Sequence, residues 1–200
     1  MQCLLATGNK AKFDEISAAL AGFDLQLISA RDCGIFQKPI ESGTTFAENA
    51  RLKARYYYHQ TGIASLADDS GLVVDALGGV PGVHSARFAA TDRARIEKLL
   101  AKLRPLDPKV GHRSSSARFV CALCLFAEHR VIEVEGKVEG EVVAPPRGAH
   151  GFGYDPVFYY PPLGKTFAEM SLGEKNRVSH RARALEKLRS QLEIGSWRAV

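Results

Sequence analysis

Short apolar runs alternate with amphipathic helical stretches along this chain of 200 residues, and that alternation limits the folds open to it. Neither element can cover its own apolar face, so strands and helices must layer on one another. Residues 2–6 read as a strand, and residues 10–21 as a helix with Phe13, Ile16 and Leu20 on one face. Leu25–Ser29 reads as a second strand; after a loop through Gly43, Thr45-x-x-Glu48 has the form of a capping box opening a helix to about Gln60. Ile63–Ala67 and Leu72–Leu77 read as two strands flanking Asp-Asp-Ser-Gly. A Gly- and Pro-rich loop, a helix over 92–103, a linker-like loop over 105–114 and a hairpin of 117–127 with 130–138 follow. The chain closes on an aromatic, Gly-rich loop, a helix of roughly 174–193 and a tail carrying Trp197. The hairpin is antiparallel while helix crossovers favour parallel pairs, so the fold class expected is α/β with a mixed sheet. Ligands belong in the loops after its strands.

Composition narrows the function. At 46% apolar the chain supports a substantial core, in one domain or one domain with two lobes. It holds no run of 18 apolar residues, so no membrane span is expected, and its start lacks the pattern of an export signal. Twenty-seven basic against 22 acidic residues give +5, which favours anionic ligands without singling out nucleic acid. Cys121 and Cys124 form a C-x-x-C inside an apolar strand, where residues three apart face opposite ways and cannot grip one ion. With Cys3 and Cys33 they read as reduced thiols, as expected of a cytoplasmic protein.

Several short stretches carry chemistry. Thr7-Gly8-Asn9 breaks the first strand, and Lys10, Ala11 and Lys12 open the next helix. Such a turn aims backbone N–H groups and a hydroxyl at a phosphate, and equally serves as a plain turn with Asn9 as N-cap. Lys10 and Lys12 lie about 200° apart around a helix, so one lysine is expected to reach the ligand. Asp68 and Asp69, with Glu41 on a separate loop, provide the hard oxygen ligands that Mg²⁺ takes in small number; Asp-Ser-Gly is also a common turn. Phe152 and Tyr154 flank Gly153 ahead of Asp155, a loop suited to stacking on a planar base or to closing the core. Lys175 and His180 would stand about 140° apart on an unbroken helix. Either a ligand straddles that helix end or the helix restarts at Ser179, bringing His180 and Arg181 to a helix start.

Taken in order and at these intervals, TGNKAK, ESGTTFAENARLKA, ADDSGL, GGVPGVHSARF, GFGYDPVF and EKNRVSHRARAL resemble the Ham1-type inosine triphosphate pyrophosphatase family, the bacterial dITP/XTP pyrophosphatases. The resemblance runs from about residue 3 to residue 190. It implies a single ITPase-like domain over residues 1–200, elongated and two-lobed, with a central mixed, twisted β-sheet flanked by helices and a cleft between the lobes. It further implies a Mg²⁺-dependent nucleoside triphosphate pyrophosphohydrolase that prefers non-canonical purines (ITP, dITP, XTP) and forms a homodimer, with no stable nucleic-acid partner. Carried over by motif, Thr7 to Lys12 and Lys53 hold phosphates, and Glu41 and Asp69 serve the metal. Asp69 is also the base that takes the proton of an attacking water, and Ser70 touches the nucleotide. Phe152, Gly153, Tyr154 and Asp155, joined by Lys175, His180 and Arg181, hold base and sugar.

The chain departs from the pattern at His84 and Phe88, where tyrosines are common, and at Ile40, often a second acid. The segment AATDRARIEKLL is also shortened and lacks an asparagine before KLL. Donors such as His180 and Arg181 aimed at a purine 6-oxo group would accept hypoxanthine and xanthine and oppose adenine's amine. Two rivals are a pyrophosphatase for modified pyrimidines or methylated nucleotides, and a non-catalytic nucleotide- or RNA-binding module. The acidic trio Glu41, Asp68 and Asp69 opposes the second, since carboxylates repel phosphate without a metal.

Overall fold

The computed structural model describes residues 2–23, 25–104 and 115–194; the linker-like stretch 105–114 and the Trp197 tail expected from the sequence lie outside them. Its fold is α/β, built on a seven-stranded, mixed, twisted sheet flanked by helices. The strands are β1 (Gln2–Ala6), β2 (Gln26–Ser29), β3 (Ser65–Val74), β4 (Ser115–Ala127), β5 (Arg130–Val142), β6 (Phe158–Tyr160) and β7 (Lys165–Thr166). The helices are α1 (Lys10–Ala19), α2 (Phe46–Thr61), α3 (Asp92–Leu103), α4 (Leu172–Val178) and α5 (His180–Ile194). Strand order is β2-β1-β3-β4-β5-β6-β7. β1 pairs in parallel with β2 (Leu4 opposite Ile28) and with β3 (Leu4 opposite Ser65). β5, β6 and β7 pair antiparallel, and the two-residue link at 128–129 makes β4 and β5 a hairpin.

The chain divides into two compact units. The first comprises Met1–Asp69, Cys121–Gly136 and Arg181–Val200, the second Ser70–Val120 and Lys137–His180. Strand alternation sorts the first unit's interior. Cys3 and Leu5 of β1, Leu66 of β3 and Cys121, Leu123 and Leu125 of β4 cluster with Ile16 and Leu20 of α1. Ala184, Leu185, Leu188 and Leu192 of α5 join them, an apolar stripe at helical spacing. Each fully buried leucine there contributes about 1.5–3 kcal/mol. The second unit's core gathers Leu72, Val74, Leu99, Phe119, Tyr154, Phe158 and Phe167.

Local signals place the helix ends. Asn9 Oδ1 accepts from the Lys12 N–H, and Thr45 and Glu48 form the expected capping box. α2 stops at Gly62, whose φ of 69° is a left-handed conformation suited to glycine. The helix expected over 174–193 is broken: Ser179 is extended between α4 and α5, the restart that the sequence allowed.

One expectation fails. Asp68-Asp69-Ser70-Gly71 is not a turn between two strands but the middle of one continuous strand, β3. Its turn-forming composition is overridden where cations from three helices meet the two carboxylates, as described below. Gly71 allows the loop after β3 to close on that strand. The Leu72 N–H donates to Ser85 Oγ at 2.9 Å, and a Cβ at Gly71 would stand 2.6 Å from Gly82 O and closer still to Ser85 Oγ. Gly71→Ala is therefore expected to lower the unfolding free energy by about 1–3 kcal/mol through overpacking. Gly173→Ala in α4, where a Cβ meets nothing within 4 Å, should raise it by about 0.4–1 kcal/mol. Urea denaturation of both variants checks the pair.

Candidate active site

Side chains alternate along β3, so Asp68 and Asp69 face opposite sides of the sheet. The Asp68 side shares a face with Leu66 and meets α1 and α5. Asp68 Oδ1 accepts from Lys12 of α1 in a short ion pair, and Oδ2 accepts from Arg181 Nε of α5 at 2.9 Å. The Cys121 thiol donates to the same Oδ2 at 3.2 Å. Arg181, itself buried, also donates through Nη1 to Glu15. Burial alone would raise the Asp68 pKa, yet the Arg181 and Lys12 charges hold it well below the usual carboxylate range. Burial, and then Asp68, push the Cys121 thiol well above its ordinary value, so it is a neutral donor rather than a nucleophile.

The Asp69 side meets α2. Lys53 Nζ donates to Asp69 Oδ1 at 2.8 Å and to Asp68 O at 3.0 Å, and it pairs with Glu41 Oε1 at 3.0 Å. Three acceptors match the three hydrogens of an ammonium. Burial would lower the Lys53 pKa, but Asp69, Glu41 and Asp68 outweigh it and raise it. Asp69 is raised as well: its burial exceeds what Lys53 and Lys12 return, and Glu41 adds to the rise. Asp69 Oδ2 is buried with no hydrogen-bond partner. An orphaned carboxylate oxygen beside a second carboxylate is a fitting ligand pair for a hard divalent cation. Among the described residues no group of three or more His, Cys, Asp and Glu forms a larger cluster. Two carboxylates suit Mg²⁺, which keeps waters and substrate oxygens in its shell.

At the end of β1, Thr7 Oγ1 accepts from the Asn9 N–H at 3.2 Å, and Asn9 caps Lys12. The cap satisfies only the third helical N–H; those of Lys10 and Ala11 begin the helix without an intrahelical acceptor and suit an anion. Lys10 is turned to solvent on Asp14 at 2.9 Å, whereas Lys12 is largely buried on Asp68.

The second unit holds the aromatic loop. Asp155 Oδ2 accepts from Lys175 Nζ at 2.6 Å and from the Phe152 N–H at 2.9 Å. The Lys175 ammonium lies 4.7 Å from the Phe152 ring centroid. His180 stacks on Phe119 at 4.7 Å, and Ser70 opens this unit within β3. Of the two readings of the aromatic loop, Tyr154 takes the core-closing one: it is buried, with its hydroxyl donating to Ser85 O at 3.1 Å, and anchors the loop. Phe152 is the ring that retains exposure.

The first unit thus brings together the Thr7–Asn9 turn, Lys12, Glu41, Lys53, Asp68, Asp69 and Arg181; the second gathers Phe152, Gly153, Asp155 and Lys175. Sequence reasoning missed Glu15, which stands three residues after Lys12 on one helix face, a spacing that could have revealed it. It also missed Asp92, whose Oδ2 accepts from the Gly153 N–H at 2.7 Å, and Asn49, a buried amide that accepts from the Gly43 N–H at 2.8 Å. Asn49 had a signal: a polar residue on the buried face of α2, next to Phe46 and Ala50.

Fold and site define an α/β protein with a lysine-bridged carboxylate pair and a capped turn at a helix start that suits an anion. The sequence pattern of the Ham1 family matches residues 3–191. A dITP/XTP pyrophosphatase of Gloeobacter violaceus is 47% identical over 195 residues, 97% of this chain and 95% of that protein. One of Thermus thermophilus is 49% identical over 191 residues, 94% of this chain and 90% of the relative. The solved structure of a HAM1 protein from Coxiella burnetii superposes with a TM-score of 0.89 at 39% identity, covering 98% of this chain and all of that one. The chain belongs to the Ham1 family.

The two lysines of the first helix separate by environment. Lys12→Met strips the buried Asp68 of one of its cations and is expected to cost about 3 kcal/mol or more of stability, as breaking buried pairs does. Lys10→Met removes a solvent-screened i,i+4 pair and should leave stability unchanged within error. Equilibrium unfolding of the two variants checks this.

Proposed function

We propose that this chain hydrolyses non-canonical purine nucleoside triphosphates (dITP, XTP and ITP) to the monophosphate and pyrophosphate, clearing them from the nucleotide pool. The observation that carries the reading is Asp69: a buried carboxylate with raised pKa and one unpartnered oxygen, held beside Glu41 by Lys53. Its support is the family and the relatives named dITP/XTP pyrophosphatase at 47% and 49% identity.

The reaction adds water to the α-phosphorus and breaks its bond to the bridging oxygen, releasing pyrophosphate. Asp69 takes the water's proton; a carboxylate with raised pKa is a better base than an ordinary one. Lys12 and the Thr7–Asn9 turn, with the Lys10 and Ala11 N–H groups, neutralise the phosphates. Lys53 keeps Glu41 and Asp69 at fixed separation from one another. Mg²⁺, held by Glu41 and Asp69, would neutralise phosphate charge and polarise the reacting phosphoryl group. Phe152 offers a face to the base beside Lys175 and Asp155, and Ser70 a hydroxyl to the nucleotide. His180 and Arg181 supply donors for the 6-oxo edge; Arg181 is preorganised by its anchorage on Asp68 and Glu15. The family further implies a homodimer, and the free thiols fit a cytoplasmic setting; no described helix is long and apolar enough to cross a membrane.

Pyrophosphate release from dITP, XTP, ITP and the four common NTPs, with and without Mg²⁺, tests the reading. Expected is Mg²⁺-dependent release from the first three, at kcat/KM well above that for ATP; preference for a modified pyrimidine would move the chain to the rival substrate class. Asp69→Asn should lower turnover by about 10²–10⁴-fold, the usual contribution of a positioned base. Retention of more than about a tenth of wild-type turnover contradicts the assignment.

A further inference from the structure

The loop between β2 and α2 carries a cation that the mechanism above does not use. β1 lies between β2 and β3, so the chain leaves β1 toward one neighbour and returns from β2 to the other. β1 and β2 are parallel, so the loops that follow them leave from the same carboxyl edge of the sheet, the edge at which open α/β sheets bind ligands. A cavity of about 520 Å³ lies between these two loops, lined by Thr7, Gly8 and Asn9 from the first and Arg31, Phe36 and Lys38 from the second. Lys38 reaches back over the turn: a Cβ built on Gly8 would stand 3.5 Å from its Nζ. Lys10, on the same wall, is taken by Asp14, and Asp32 is turned to Ser29, accepting its N–H at 2.9 Å. No ion pair is recorded for Lys38 among the described residues. An ammonium held over the backbone of a phosphate-type turn, without a carboxylate of its own, is a charge awaiting an anion.

We propose that Lys38 is a phosphate-binding residue which, with the Thr7–Asn9 turn, holds the distal, pyrophosphate end of the triphosphate; this rests on the pyrophosphatase reading above. Lys12 is drawn by Asp68 toward the acidic centre, where the α-phosphorus reacts. The opposite side of the turn, under Lys38, is left for the leaving group. A compact ammonium recognises phosphate as a point charge, so arginine should substitute for it and neutral side chains should not.

The decisive test is calorimetric titration of inorganic pyrophosphate into metal-free protein, for wild type, Lys38→Ala, Lys38→Gln and Lys38→Arg. Lys38 is exposed, so these variants are expected to fold. Lys38→Ala and Lys38→Gln should weaken pyrophosphate binding by about fivefold or more, and Lys38→Arg should return it to within about twofold of wild type. With dITP, KM should rise by a similar factor while kcat stays within about twofold, as for loss of an interaction made equally in ground and transition states. Wild-type pyrophosphate affinity in Lys38→Ala, or no pyrophosphate binding by wild type, overturns the proposal. Absence of purine triphosphate hydrolysis by wild type would instead overturn the pyrophosphatase reading, and the pyrophosphate titration would still decide on Lys38.

Discussion

The buried carboxylate of Asp68 is the interaction on which the rest of the site depends. A carboxylate in a strand interior is costly unless cations meet both of its oxygens. Here Lys12 takes one, and Arg181 and the Cys121 thiol take the other. These partners come from α1, α5 and β4, so one side chain ties two helices to the middle of the sheet. Because Lys12 is fixed in this way, the first turn of α1 is fixed too, and with it the N–H groups that open the helix. Arg181 in turn needs Glu15 to balance its second side.

Asp69 lives under the opposite regime although it is the next residue. The pleat turns it to the α2 face, where Lys53 divides its hydrogens among Asp69, Glu41 and the Asp68 carbonyl. Shared charge leaves Asp69 under-compensated: its pKa is raised where that of Asp68 is depressed. One aspartate is thus an anchor and the other suits the reactive role proposed for it, and backbone alternation sets the two apart. Pairs of titratable groups pushed apart by their surroundings are a recurring mark of acid–base sites.

Much of this was legible in the sequence, because the signals were local. The capping box at Thr45, the N-cap at Asn9 and the apolar spacing of the helices depend on neighbours a few residues away. The residues of the candidate site stood out as motifs, but their pairings were not legible. Lys12 lies 56 residues from Asp68, and Arg181 lies 113. That distance explains the misreading of Asp-Asp-Ser-Gly as a turn: its local composition is turn-like, and only remote cations make it a strand. Tyr154 stayed ambiguous for a related reason, since a ring in a Gly-rich loop reads alike whether it faces a base or the core. Lys38 belongs to no motif and acquires meaning only where its loop folds back over Gly8.

The division between the two aspartates is tested most directly by the unfolding free energies of Asp68→Asn and Asp69→Asn at pH 7. A depressed folded pKa contributes stability above the unfolded value of about 3.9, lost as pH falls through the folded pKa; a raised one makes the ionised form a cost at neutral pH. Asp68→Asn also leaves Lys12 and Arg181 short of a buried counter-charge, so it is expected to lose about 3 kcal/mol or more. Asp69→Asn should be as stable as wild type or more so, since Lys53 keeps Glu41 and the Asp68 carbonyl. Equal losses in the two variants, or a greater loss in Asp69→Asn, would contradict the assignment of anchor and reactive group.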